Sequence, residues 1–141
     1  MADEATIRCS LDINKPPLRY ISRPTVFTFD VAGTKGPVPG AIEASVLGTD
    51  VDFSELTTPA LCRIMNLDGT NFVEFGIWDP EGITFYPLGE VLAGETYVLR
   101  LSRYLQEEYG TGTGTTGADT NRLRIKADTA AVQVLVEAFE T

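Results

Sequence analysis

Side chains able to do chemistry are few in this sequence, and the commonest one is missing. There is no histidine among its 141 residues. That removes the usual general base, the most frequent metal ligand and every Ser-His or Cys-His nucleophile pair. Two carboxylates alone can hydrolyse a glycoside, but Glu43, Asp50, Asp52, Glu55, Glu107 and Glu108 fall in turn and surface contexts. The tightest acidic spacing, Asp50-x-Asp52-x-x-Glu55, has the hard oxygen ligands that calcium or magnesium prefers. It lacks the spacing and central glycine of a calcium loop, and reads as a solvated acidic turn. The run Gly110 to Gly117 contains only glycine and threonine. It has no Gly-Lys-Ser/Thr ending and no following helix, so it is not a phosphate loop. The expectation is a protein that is not an enzyme, with no catalytic residues, cofactor or metal.

Cys9 and Cys62 each lie alone in an apolar stretch, the setting of buried free thiols rather than of a catalytic pair. A disulfide between them requires neighbouring strands. Phe27, Phe29, Phe53, Phe72, Phe75, Phe85 and Trp78 sit mostly in strand patterns and are expected in the core. Arg19-Tyr20, Arg103-Tyr104 and Tyr109 lie next to loops instead and combine the residue types enriched in binding hot spots. Arg19, Tyr20, Arg103, Tyr104 and Tyr109 are therefore the candidate partner-interface residues.

Eleven Lys and Arg oppose twenty Asp and Glu, for a formal charge of −9. This repels nucleic-acid phosphates, so no nucleic-acid partner is expected. No apolar run approaches the length of a membrane-spanning helix, and no membrane association is expected. Met1 to Thr6 shows no basic segment followed by an apolar one, as a secretory signal would, so synthesis in a cytoplasm is expected.

The elements that must position these residues read as strands. Thr6 to Ile13 alternates strictly, with apolar residues at odd positions, the pattern of a half-buried strand. Asn14-Lys15-Pro16-Pro17 ends it. Thr25 to Val31 is the next strand, with Phe27, Phe29 and Val31 on one face. Gly33 to Gly40 is rich in glycine and proline and predicts a surface loop. Ala41 to Leu47 and Ala60 to Leu67 follow as strands, with a short extended piece at Val51 to Phe53. For Ser54 to Pro59 the pattern favours neither helix nor strand. Asp68-Gly69 and Asp79-Pro80-Glu81-Gly82 predict hairpin turns on either side of Phe72 to Trp78, making a meander that continues through Ile83 to Leu88. Thr96 to Leu101, Leu123 to Ala127 and Val132 to Val136 alternate as further strands, and Tyr104 to Tyr109 suggests a short helical turn. The whole predicts an all-β fold: a β-sandwich or jelly-roll of about eight or nine short antiparallel strands in a single domain, 1–141, with a flexible N-terminus 1–5 and a Gly/Thr-rich loop 110–120.

The order Arg63 to Gly76, then Phe85-Tyr86-Pro87-Leu88, Leu92-Ala93-Gly94-Glu95, Leu99-Arg100-Leu101 and Lys126 to Val134 resembles a broad group of small virion proteins of tailed bacteriophages and prophages. The resemblance covers roughly residues 56 to 139. It implies a β-sandwich capsid decoration or cement protein on the capsid exterior. Such a protein would bind between subunits of the major capsid protein, as a homo-oligomer for which a trimer is the guess. The run Gly110 to Gly117 departs from the group as an insertion.

Three other functions are compatible with the same residues. A neck or tail-associated protein of the same virion would share this sequence pattern. A carbohydrate-binding module would use exposed aromatics on a β-sandwich. An enzyme would have to work without histidine, through groups such as Glu107 and Glu108.

Overall fold

The structure, a computed structural model, describes residues 5–31, 33–80, 82–102 and 122–140. Residues 1–4, the Gly/Thr-rich loop 110–120 and the helical turn expected over Tyr104 to Tyr109 lie outside the described residues. Those described form twelve short antiparallel strands and no helix. They fall into two units, the first ending at Ala32 and the second running from Gly33 to Glu140.

The second unit holds β5 (Val38–Ala44), β6 (Thr49–Asp50), β7 (Pro59–Asn66), β8 (Val73–Asp79), β9 (Thr84–Val91), β10 (Thr96–Arg100), β11 (Arg122–Ala127) and β12 (Val132–Glu140). Their pairing is nested: β5 pairs with β12, β6 with β11, β7 with β10 and β8 with β9. This is an antiparallel ribbon folded back on itself and rolled. The roll is closed by ladders between β12 and β7 and between β11 and β8. The result is two four-stranded sheets in the orders β10-β7-β12-β5 and β6-β11-β8-β9, the arrangement of a jelly-roll.

Alternation builds the core between the sheets. Val132, Val134, Val136 and Ala138 from β12 face inward, as do Leu123, Ile125 and Ala127 from β11 and Cys62 and Ile64 from β7. Intervening residues face out, as a strand period of two requires. Val51, Phe53 and Leu56 are also buried in this core. The stretch Ser54 to Pro59, for which sequence favours neither helix nor strand, thus supplies Leu56 to the core, on a turn closed by the bond from Leu56 N to Phe53 O at 2.9 Å.

Three expectations about this unit change. Residues 67–72 are not a hairpin turn, because β7 and β8 belong to different sheets, so only β8 and β9 form a consecutive hairpin of the expected meander. Gly69 does not take up a left-handed φ; the Asp68 carboxylate, which accepts from the amides of Thr70 and Asn71 at 2.7 Å, turns the chain instead. Alternation shows that a strand has one buried face, not which sheet it joins. The loop expected from Gly33 to Gly40 is shorter, since β5 begins at Val38. Pro39 is tolerated there because β5 is an edge strand, where a missing N–H costs no ladder bond.

The first unit is a two-stranded ribbon. β1 (Ala5–Cys9) pairs with β4 (Thr25–Phe29), and β2 (Asp12–Lys15) with β3 (Leu18–Ile21). Ser22 N donates to Leu11 O at 2.9 Å between the two ladders. The Pro16-Pro17 pair therefore turns a hairpin, and the single strand expected from Thr6 to Ile13 is divided at Ser10 and Leu11. The burial expected here also fails. Phe27 is 48% exposed, Leu11 56% and Ile21 79%, because two strands have no second layer to cover them. A lone two-stranded hairpin is marginal in water.

Candidate functional site

The acidic turn is already neutralised by its own neighbours. Asp50, on the two-residue strand β6, pairs with Arg122 at 3.1 Å and Arg124 at 2.5 Å across the sheet. Asp52 accepts from the Ser54 amide at 2.9 Å, and bonds from the Ser54 side chain and backbone hold its carboxyl below the ordinary value. Among the described residues no three Asp, Glu, Cys or His side chains are grouped to hold a metal ion. Glu107 and Glu108 lie outside the described residues.

Arg124 also lies over Trp78, its guanidinium carbon 3.7 Å from the ring centroid. Trp78 and Arg122 are paired across β8 and β11, so Asp50, Arg122, Arg124 and Trp78 form one cluster on a half-buried sheet face. The cation covers one face of the indole ring.

The cysteines differ from one another. Both are free, Cys9 exposed and Cys62 buried, so the expectation of a buried thiol holds for Cys62 and fails for Cys9. Cys9 lies in the ribbon, where no second layer exists to bury it. Burial, aided by the Glu137 carboxylate, pushes the Cys62 thiol up to about 12. That leaves it without the thiolate that nucleophilic or redox chemistry needs.

The most organised polar feature is at one end of the jelly-roll, where four crossovers between the sheets meet: residues 45–48, 67–72, 92–95 and 128–131. Asn66, fully buried, ties two of them together, 67–72 and 92–95. Its Nδ2 donates to Asn71 O at 2.8 Å and Val91 O at 3.1 Å, while its Oδ1 accepts from Asp68 N at 2.9 Å. The Asn66 amide donates to Glu95 O at 3.0 Å, and Ala127 N donates to Ser45 O at 3.0 Å. The Thr129 hydroxyl donates to Asn71 Oδ1 at 3.0 Å. The amides of Asn71 and Thr70 hold the Asp68 carboxyl below its ordinary value. These polar groups serve the turns, and the same segments also expose large apolar side chains: Leu47 is 86% exposed, Leu67 48% and Leu92 48%. The Glu95 carboxylate accepts from the Leu92 amide at 3.1 Å. Sequence reading missed this surface, although three of the four turn segments visibly carry a leucine, Leu47, Leu67 and Leu92.

Of the predicted interface residues, Arg19 and Tyr20 sit side by side on β3, both exposed, with Tyr20 opposite Ile13 and Arg19 opposite Asn14. Arg103, Tyr104 and Tyr109 lie outside the described residues. The ribbon around Arg19 and Tyr20 carries two apolar rows, Ala5 and Ile7 facing Phe29 and Phe27, and Ile13 facing Tyr20 with Leu18 beyond. No helix among the described residues is long and apolar enough to cross a membrane. Comparison of the chain with protein-family models, with curated proteins and with solved structures returned no match.

Proposed function

We propose that this chain is a structural virion protein, a cement or decoration protein that stabilises a tailed-phage capsid by binding between major capsid protein subunits. The observation that carries the reading is the distribution of large apolar side chains over the outside of a jelly-roll. Ile83, Leu88 and Tyr86 at the β8–β9 hairpin are each more than half exposed, and so is Leu47 at the opposite end. Apolar exposure gathered on one hairpin, as at Ile83, Tyr86 and Leu88, supports a surface that meets other proteins, and jelly-rolls are a recurrent architecture of viral shells and of lectins. That second support is an analogy of fold, which by itself does not assign function. The resemblance of residues 56 to 139 to small phage virion proteins selects the shell over the lectin. On this reading the protein is made in the host cytoplasm and assembles on the capsid exterior, with trimers at symmetry axes as the expected arrangement.

The test is a copy count by quantitative mass spectrometry of purified particles. Hundreds of copies per particle are expected of a shell-covering protein. A dozen or fewer would place it in the neck or tail, and none would remove the virion role. Particles lacking it are expected to release DNA at lower temperature, and equal stability would overturn the cement function.

A further inference from the structure

We propose that two copies of this chain pair face to face through the outer surface of the sheet β10-β7-β12-β5, about a two-fold axis running along the seam between β7 and β12. The residues of β7 and β12 that alternate with the buried Cys62, Ile64, Val134 and Val136 turn away from the core, and the strand registers join them into rows. Met65 and Leu135 are neighbours in one row, flanked by Thr96 and Ala41. Leu61 and Phe139 are neighbours in another, beside Arg100. Between these lies the row Val98, Arg63, Glu137 and Pro39. An antiparallel sheet with one face on the core is commonly polar on the other, yet here Arg63 and Glu137 are the only polar members that β7 and β12 contribute to the three rows. The second sheet shows the contrast. Its outward residues on β11 are Arg122, Arg124 and Lys126, with Trp78 opposite the first and Glu74 opposite the last. The Arg63 side chain is 44% exposed and Val98 beside it 42%, so the centre of the apolar face is open.

Charge selects the occupant. Among the outward residues of these four strands the bases, Arg63 and Arg100, lie on β7 and β10, and the acids, Glu137 and Glu43, on β12 and β5. One half of the face is therefore basic and the other acidic. A two-fold rotation about the seam between the halves lays each over the opposite half of a second copy, so the face is complementary to itself. In the pair, Arg63 stands over the partner's Glu137, and the Arg63–Glu137 ion pair within each chain, 2.5 Å long, becomes part of a ring of four alternating charges. Met65 meets the partner's Leu135 in the row alongside. Four strands make a face about 19 Å wide and about 20 Å long. That is a small interface, and a dissociation constant in the micromolar range is expected.

The inference does not rest on the capsid reading, and the two fail separately: a two-fold face cannot close a trimer, so a trimer in solution overturns the pairing and leaves the capsid reading standing. Sedimentation equilibrium of the full chain from micromolar to submillimolar concentration is the experiment. It is run at physiological ionic strength, where the repulsion arising from a net charge of −9 is screened beyond about 8 Å. The average mass is expected to rise from one chain toward two and no further. Leu135→Lys is expected to weaken the pair about tenfold or more. Arg63→Glu and Glu137→Arg are each expected to do the same, since each puts four like charges in the ring. An equimolar mixture of these two restores the pair, because each contact then joins opposite charges. Glu90→Lys, on β9 of the other sheet, is expected to leave the mass unchanged. Far-UV circular dichroism checks that each variant is folded, and the mass of the native chain needs no variant. A native chain that stays monomeric overturns the proposal, as does a pair unaffected by Leu135→Lys or Arg63→Glu, a mixture that stays monomeric, or a pair dissociated by Glu90→Lys.

Discussion

Arg124 is shared between Trp78 and Asp50: its guanidinium carbon stands 3.7 Å over the indole ring while its Nε lies 2.5 Å from the carboxylate. Its side chain is 15% exposed, so both attractions act partly out of water. Arg124→Ala is expected to cost about 1–3 kcal/mol, the range of a partly buried cation–π contact together with an ion pair. Urea unfolding measures it. Trp78 is the sole tryptophan, so the same variant shifts the native fluorescence without any background. A cost below about 0.5 kcal/mol would mean the cluster is incidental to the sheet.

Asn66 is the polar group on which the crossover end depends. Asn66→Ala leaves the carbonyls of Asn71 and Val91 without their donor and the Asp68 amide without its acceptor. Buried groups left unpaired cost about 1–3 kcal/mol each, so a loss of at least about 3 kcal/mol is expected in chemical denaturation. Asn66→Asp, which keeps the acceptor and loses the donor, is expected to be almost as damaging.

The two thiols are expected to react very differently. In the native chain a disulfide reagent at mildly alkaline pH modifies Cys9 quickly and leaves Cys62 intact, and two thiols react once the chain is unfolded in urea. The same burial has a pH signature. The Cys62 thiol is raised from 9.0 to about 12 on folding, so its contribution is fully present below pH 9.0. It is lost as the pH rises toward the folded value, because the unfolded chain ionises first. Stability measured above pH 9 is expected to decline in the native sequence and to decline less in Cys62→Val.

Asp68 has the opposite sign. Its carboxyl, held below 3.8 by the amides of Asn71 and Thr70, stabilises the fold at pH values above 3.8. That contribution is lost as the pH falls through the lower folded value. Asp68→Asn, which does not titrate, is expected to show a shallower loss of stability below pH 4. An acid limb identical to that of the native chain would mean that other carboxylates dominate it.

Much of the fold was legible along the chain because burial in a strand repeats every two residues. Val132, Val134 and Val136, and Leu123 with Ile125, declare the inward face of β12 and β11 with no knowledge of what they face. The absence of histidine likewise bounded the chemistry from composition alone. What a period of two does not contain is the partner of each strand. The sequence around Asp68-Gly69 is that of a hairpin, and only the ladders show that β7 and β8 part there into different sheets. Phe27 and Phe29 alternate as faithfully as Val134 and Val136, yet Phe27 stays exposed because β1 and β4 pair only with each other. Cys9 and Cys62 sit in similar local patterns and reach opposite environments for the same reason. Asn66 becomes a hub only when residues 71 and 91 are brought to it. Local alternation, turn residues and composition were therefore the sequence's own determinations, since they depend on near neighbours. The jelly-roll order, the crossover end and the uncovered hairpin were decided by tertiary structure, since each depends on pairings between residues far apart in the chain.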